Sequence, residues 1–239
     1  MTADKKLIVF DKDGTLIDFD AFWVSLSALS VKDVLRKLER SDIEIDEFLK
    51  AFGVENGVTD IDGILCKGTY EEMGEAMHGV LKKHGCSITP EAVTKMMLEA
   101  YGKNSPSGEV KPTCENIREV LLKLKEGRRL IVVTTDNPEI TKLCLEKLCV
   151  LDLFDEIFAD DGKTPAKPNP ACLNEYCEKN GIAKENVLMV GDTMTDVNFA
   201  KNAGVDVIAV GKTERMRKRL LPFADRVVPD ISYVLKEIE

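Results

Sequence analysis

The sequence predicts an α/β fold, a doubly wound parallel sheet into which an all-helical domain is inserted. Three observations carry this reading. A short apolar run, Leu7-Ile8-Val9-Phe10, stops abruptly at Asp11-Lys12-Asp13-Gly14-Thr15, as a buried strand does at its carboxyl end. From Pro112 onward, strand-like runs alternate with helix-like stretches, the pattern of parallel βαβ units. Between these parts, residues from about Asp20 to Tyr101 are rich in helix formers, with apolar residues at helical spacing.

The elements follow in order. After the first strand, Val34-Leu35-Leu38 and Met73-Met77-Val80-Leu81 mark helical faces in the insertion. Ser30 or Asp33 could begin a helix there, and Thr69 with Glu72 resembles a capping box. Thr89-Pro90 reads as a helix start with proline in the first turn. Gly53, Gly57, Gly63 and Gly85 punctuate the region. The turn-rich stretch Gly102–Gly108 reads as the return linker, so the expected domains are 1–18 with 105–239, and 19–104. Then come helix Thr113–Glu126, strand Leu130–Val133, helix Pro138–Leu148, strand Ile157–Ala159, helix Pro170–Asn180, strand Val187–Val190, helix Thr195–Ala203 and strand Asp206–Val210. Ala224–Val228 and Ile231–Ile238 add a last strand and helix.

A chain of 239 residues suits one core domain plus an insertion, and 44% hydrophobic residues support a real core. No apolar run reaches membrane-spanning length. Met1-Thr2-Ala3-Asp4-Lys5-Lys6 leads straight into the first strand, so no signal peptide and a cytoplasmic location are expected. The net charge of −9 argues against a general nucleic-acid binder, and the basic stretch Lys212–Arg219 reads as a solvated helix face. Seven cysteines without a Cys-x-x-Cys, and only His78 and His84, argue against a zinc site and a histidine-based triad. Reduced thiols are expected.

Chemistry concentrates at the strand ends, where open α/β sheets bind their ligands. If strand geometry persists, Asp11 and Asp13 point to the same side. One can then attack an electrophile while the other gives or takes a proton. Gly14 suits a sharp exit from the strand. After Ile131-Val132-Val133 comes Thr134-Thr135-Asp136-Asn137. A hydroxyl there can donate to an anionic oxygen, although Asn137 before Pro138 also fits an ordinary helix N-cap. In the proline-stiffened loop Gly162–Pro170, Lys167 is placed to neutralise an aspartate and a phosphoryl group together, with Lys163 as its competitor. Gly191-Asp192-Thr193-Met194-Thr195-Asp196 ends another strand. A carboxylate cluster drawn from separate strand ends suits a hard cation such as Mg²⁺.

Taken in order, Asp11-Lys12-Asp13-Gly14-Thr15, Thr134, Lys167 before Pro168, and Gly191-Asp192 with Asp196 resemble the four motifs of the haloacid dehalogenase superfamily. The match covers roughly residues 5–18 and 112–232. The insertion falls where that superfamily carries its helical C1 cap. Lys167-Pro168-x-Pro170 and the run from Gly191 to Gly204 are most similar to the phosphoglycolate phosphatase-like branch.

The resemblance implies a Mg²⁺-dependent phosphatase acting on a small phosphorylated metabolite, phosphoglycolate-like or a sugar phosphate. It implies Asp11 as the nucleophile that forms an aspartyl-phosphate, and Asp13 as the acid and base. Mg²⁺ would be held by Asp11, the Asp13 carbonyl and Asp192, with Asp196 supporting the metal site or Lys167, and Thr134 and Lys167 would hold the phosphoryl oxygens. Asp13 separates this pattern from the ion-pumping ATPases and the dehalogenases. Thr15 favours a phosphatase over a β-phosphoglucomutase-like mutase, which remains the alternative, with a non-catalytic phosphate-ligand binding protein on the same scaffold as a third reading. In the cap, Lys67, Gly68 and Thr69 form the expected substrate loop, with Thr135 of the core as a further candidate substrate contact, and Phe19, Phe22 and Trp23 either line the cleft or pack the cap. Two positions depart from the branch: Thr135 stands where asparagine is common, and Lys12 replaces an apolar residue. No membrane partner is implied, and the oligomeric state is left open.

Overall fold

The structure is a computed structural model that describes residues 4–238; the start Met1-Thr2-Ala3 lies outside them. The chain forms two compact units, one made of the chain up to Asp18 and from Val110 on, the other of Phe19–Glu109.

The first unit opens with strand β1 (Leu7–Phe10). The helical unit follows. A π-helical turn, Asp20–Val24, runs directly into α1 (Ser25–Lys37). Then come α2 (Ile45–Ala51), a two-stranded ribbon of β2 (Val54–Glu55) and β3 (Val58–Thr59), and α3 (Ile64–Lys67), α4 (Tyr70–Lys83) and α5 (Pro90–Asn104). Its core is an apolar filling of Phe22, Leu26, Phe48, Phe52, Met77, Leu81 and Met97, all fully buried.

Three expectations for this unit are corrected. It is not wholly helical: Asn56 and Gly57 both have positive φ, the backbone a tight two-residue hairpin needs, and Val54 pairs with Thr59 across it. Neither Ser30 nor Asp33 starts a helix. The helix is already running from Asp20, and Ser30 is buried inside it. The return is not a loose linker from residue 102. Helix α5 continues to Asn104, a 3₁₀ turn follows at Ser105–Ser107, and the Glu109 N–H donates to Ser25 Oγ at 3.0 Å. That bond keeps the chain with the helical unit up to Glu109, past the expected boundary at 105.

The remaining core elements are α6 (Ile117–Lys125), β4 (Arg129–Val133), α7 (Pro138–Lys147), β5 (Glu156–Phe158), α8 (Ala171–Asn180), β6 (Val187–Gly191), α9 (Met194–Ala203), β7 (Asp206–Val210), α10 (Glu214–Leu220), β8 (Arg226–Val228) and α11 (Val234–Ile238). Helix α6 begins later than the expected Thr113, because Thr113 is engaged elsewhere: its hydroxyl donates to the Thr15 carbonyl at 2.6 Å and its N–H to that of Leu16 at 3.2 Å. The six strands of this unit form one parallel sheet in the order β5-β4-β1-β6-β7-β8.

Side chains alternate across the sheet. Ile8, Phe10, Leu130, Val132, Leu188 and Val190 pack with α6, α7 and α11 on one face. Leu7, Val9, Ile131, Val133, Val187 and Met189 pack with α8 and α9 on the other. With both faces covered, the strands read as unbroken apolar runs. Strand order reverses at β1, and the crevice beyond such a switch point is where this architecture places its ligands.

Candidate active site

Register builds the site. Phe10 lies level with Val132 of β4 and Val190 of β6, so Asp11, Thr134 and Asp192 emerge just past three adjacent strand ends. The Asp11 N–H extends the ladder by one bond, to the Val190 carbonyl at 2.9 Å. The chain then turns through Gly14, whose φ of +81° favours glycine. A Cβ there would also lie 2.1 Å from Asp192 Oδ2. Buried Thr15 sits beside the same carboxylate, its hydroxyl 3.4 Å from Asp192 Oδ1.

Lys167 reaches this cluster from the loop before α8. Its buried ammonium lies 2.5 Å from Asp11 Oδ1 and 2.6 Å from Asp196 Oδ1. The competing Lys163 is exposed, in a turn organised by Asp161. Asp196 stands in the first turn of α9, where it forms a capping box with Thr193. Its Oδ2 accepts from the Thr193 N–H at 3.0 Å and from the Thr193 hydroxyl at 2.6 Å. Both Asp196 oxygens are therefore engaged by protein donors.

Among the described residues, Asp11, Asp192 and Asp196 form a buried cluster whose ligand oxygens lie within 4.8 Å of one another. Burial is the largest influence on Asp11 and pushes its carboxyl up to about 7; Lys167 works against it, while Asp196 and Asp13 add to it. Asp192 is raised well above the carboxylate range by burial, then by Asp11 and Asp196. For Lys167, burial alone would lower the pKa, but Asp11 and Asp196 outweigh it and hold the ammonium above its usual range. Three carboxylates against one ammonium leave negative charge in a dry place, which a divalent cation offsets. An all-oxygen donor set fits Mg²⁺. With Asp196 occupied by Lys167 and Thr193, Asp11 and Asp192 are the side chains suited to touch such an ion.

At the tip of β4, buried Thr134 accepts the Asp136 N–H on its hydroxyl at 3.1 Å. Asn137 caps α7, accepting the Ile140 N–H at 2.9 Å, so Thr134 is not needed as the cap. Thr135 is exposed.

Behind the strand ends lies a second polar cluster. The fully buried Lys12 ammonium sits 2.6 Å from Asp136 Oδ2, and 3.0 Å and 2.9 Å from the two oxygens of Asp13. Sequence reasoning gave neither Lys12 nor Asp136 a role. The signal was present: a lysine held inside a strand end must find anionic partners, and Asp136 stands at the neighbouring tip.

The cap candidates belong to the helical unit and have local partners there. Lys67 pairs with Asp62. The Gly68 N–H donates to Ile64 at 2.7 Å. Thr69 forms the capping box with Glu72. Phe22 is buried and packs edge-on against Trp23 at 5.3 Å between ring centres, with Phe19 beside Trp23.

Comparison with known proteins agrees with this geometry. The sequence profile of the haloacid dehalogenase-like hydrolases matches residues 8–210. The phosphoglycolate phosphatase of Psychrobacter arcticus is 29% identical over 208 residues, covering 87% of this chain and 84% of that protein. Among solved structures, a predicted phosphoglycolate phosphatase from Haemophilus somnus superposes with a TM-score of 0.69 at 22% identity, covering 99% of both chains. A protein from Thermotoga maritima assigned as a β-phosphoglucomutase also reaches 0.69, at 20% identity and 98% of both chains. The two structural likenesses speak for the fold alone. The profile match spans the strand-end cluster and every strand of the sheet but β8, and on that ground the chain belongs to the haloacid dehalogenase-like hydrolases.

Proposed function

We propose that this protein is a Mg²⁺-dependent phosphatase of small phosphomonoesters, phosphoglycolate-like or sugar phosphates, acting in the cytoplasm through an aspartyl-phosphate on Asp11. The observation that carries the reading is Lys167 Nζ, 2.5 Å from Asp11 Oδ1 and anchored at 2.6 Å by Asp196. A fixed ammonium beside a buried carboxylate suits a nucleophile that must meet a phosphoryl dianion, because it offsets the repulsion between the two. Relatives bearing the phosphoglycolate phosphatase name support the substrate class.

The steps balance without an external reactant other than water. An Asp11 oxygen attacks phosphorus as the ester P–O bond breaks. The leaving oxygen takes its proton from Asp13. Water then attacks the aspartyl-phosphate and gives a proton back to Asp13, which releases phosphate and restores the Asp11 carboxylate. Thr134 and Lys167 orient the phosphoryl oxygens. Asp11, Asp192 and the Asp13 carbonyl would hold Mg²⁺, which supplies charge neutralisation at the phosphoryl group. Lys67, Gly68 and Thr69 remain the candidates for reading the leaving group.

The test is phosphate release from phosphoglycolate, glucose 6-phosphate, glycerol 3-phosphate and p-nitrophenyl phosphate, with Mg²⁺ and with EDTA. Mg²⁺-dependent release from at least one compound is expected. No release from any, with isomerisation of a sugar phosphate instead, would replace the phosphatase by a mutase.

A further inference from the structure

A lysine between two site aspartates invites the question of what it does there. Lys12 follows Asp11 and precedes Asp13, yet its side chain has no solvent exposure. Burying an ammonium is costly unless it is paired and hydrogen-bonded. Here the pairing is generous. Asp136, 7% exposed, takes it at 2.6 Å, and both Asp13 oxygens lie within 3.0 Å. Cys144 Sγ closes the pocket at 4.0 Å. Asp136 is itself fixed, since its N–H donates to Thr134 and its Oδ1 accepts the Asn137 N–H at 2.7 Å. The two loops that carry the site are thus tied together from below by one ion.

We propose that Lys12, anchored by Asp136, is a positioning residue for Asp13, holding that carboxylate in the orientation from which it exchanges a proton with the leaving oxygen. The inference rests on the phosphatase reading above and on Asp13 as its acid. Asp13 keeps 16% side-chain exposure while Lys12 has none, so one end of the pair is sealed and the other remains open to a substrate. A bidentate contact removes rotation about the carboxylate, and a displacement of ~1 Å at such a group costs on the order of 100-fold in rate. The ammonium contacts Asp13, Asp136 and Cys144, none of them the Asp11 nucleophile.

Leaving-group dependence separates positioning from packing. An alkoxide needs a proton as it departs, whereas p-nitrophenolate departs without one. Wild type, Lys12→Met, Asp136→Asn and Asp13→Asn are assayed on p-nitrophenyl phosphate and on the fastest alkyl phosphomonoester of the panel. In Lys12→Met, kcat/KM, which reports the first half-reaction alone, should fall at least about tenfold on the alkyl ester and less than about threefold on p-nitrophenyl phosphate, whereas kcat also contains the Asp13-assisted hydrolysis that both substrates share. Asp136→Asn keeps the shape and an acceptor for Lys12, so it should fold and show the same bias at smaller size. An unchanged alkyl-to-aryl ratio of kcat/KM in the variants that fold would overturn the proposal, as would failure of both to fold, which would assign the pair to core stability. If Asp13→Asn itself shows no alkyl bias, or wild type hydrolyses nothing, the underlying reading fails and takes the inference with it.

Discussion

Asp196 holds Lys167 on one carboxylate oxygen, at 2.6 Å, and uses the other to cap its own helix through Thr193. The lysine is therefore fixed by a residue both of whose oxygens already accept from protein donors. Asp196 and Asp192 stand in the same strand-to-helix turn but should fail differently. Asp196→Asn preserves the shape of the cap and removes the charge that anchors Lys167. It should lower kcat by about 10- to 100-fold, with little change in the Mg²⁺ concentration for half-maximal rate. Asp192→Asn should raise that Mg²⁺ concentration by about tenfold or more. Mg²⁺ titrations of phosphate release check both, and equal metal requirements in the two variants would count against this division of labour.

Gly14 packs directly against the Asp192 carboxylate, so the turn after β1 tests the site without replacing a charged residue. Gly14→Ala meets a left-handed backbone, φ +81°, and a carboxylate oxygen 2.1 Å from the new Cβ. The backbone strain alone costs about 1–3 kcal/mol, and Asp192 must move to relieve the clash. A lower melting temperature together with a raised Mg²⁺ requirement is expected from thermal denaturation and metal titration. A variant as stable and as active as wild type would count against a close approach of Gly14 to the Asp192 carboxylate.

How much of this was legible beforehand follows from local chemistry. The strand tips were readable because β1, β4 and β6 are buried on both faces, so their apolar runs end where polar chemistry begins. Loop chemistry alone left Lys163 as a competitor to Lys167, and only the resemblance, through Lys167 before Pro168, chose between them; in the structure Lys163 is exposed in the turn at Asp161 and Lys167 is buried. The hairpin of the helical unit had its signal in Asn56-Gly57, but two-residue strands offer no period to detect. The start of α1 lies ahead of Ser30 and Asp33 because the helix enters through the π-helical turn Asp20–Val24, where Phe19 makes no side-chain cap bond for the sequence to signal. Asp136 escaped notice because its role appears only when the neighbouring strand brings Lys12 within reach.

The nucleophile can be tested chemically as well as kinetically. Asp11→Asn removes the attacking oxygen but keeps a hydrogen-bonding partner for Lys167, and it relieves crowding among the carboxylates. Turnover should fall to background while the melting temperature in EDTA stays level or rises. Acid quenching of wild type during turnover of a ³²P-labelled substrate should trap label on Asp11, located by peptide mass. Label on another residue, or turnover surviving in the variant, would overturn the assignment.

The raised carboxyls set the pH behaviour of the metal-free protein. Asp11 titrates near 7 in the folded state against an ordinary value of 3.8, so between those values the folded chain binds more protons than the unfolded one. Stability then falls as pH rises. The site's contribution is most favourable below about pH 4 and is lost as pH climbs through 7. Asp192, raised in the same direction, deepens the loss. A bound divalent ion removes the penalty for ionisation, because it favours the charged carboxylates that burial disfavours. Added Mg²⁺ should therefore raise the melting temperature more at pH 8 than at pH 5.5, where protons compete for the same oxygens. In Asp192→Asn the Mg²⁺ gain should shrink at both pH values. Melting curves across pH, with EDTA or with Mg²⁺, measure this directly. An Mg²⁺ gain independent of pH would place the ion elsewhere than on these carboxylates.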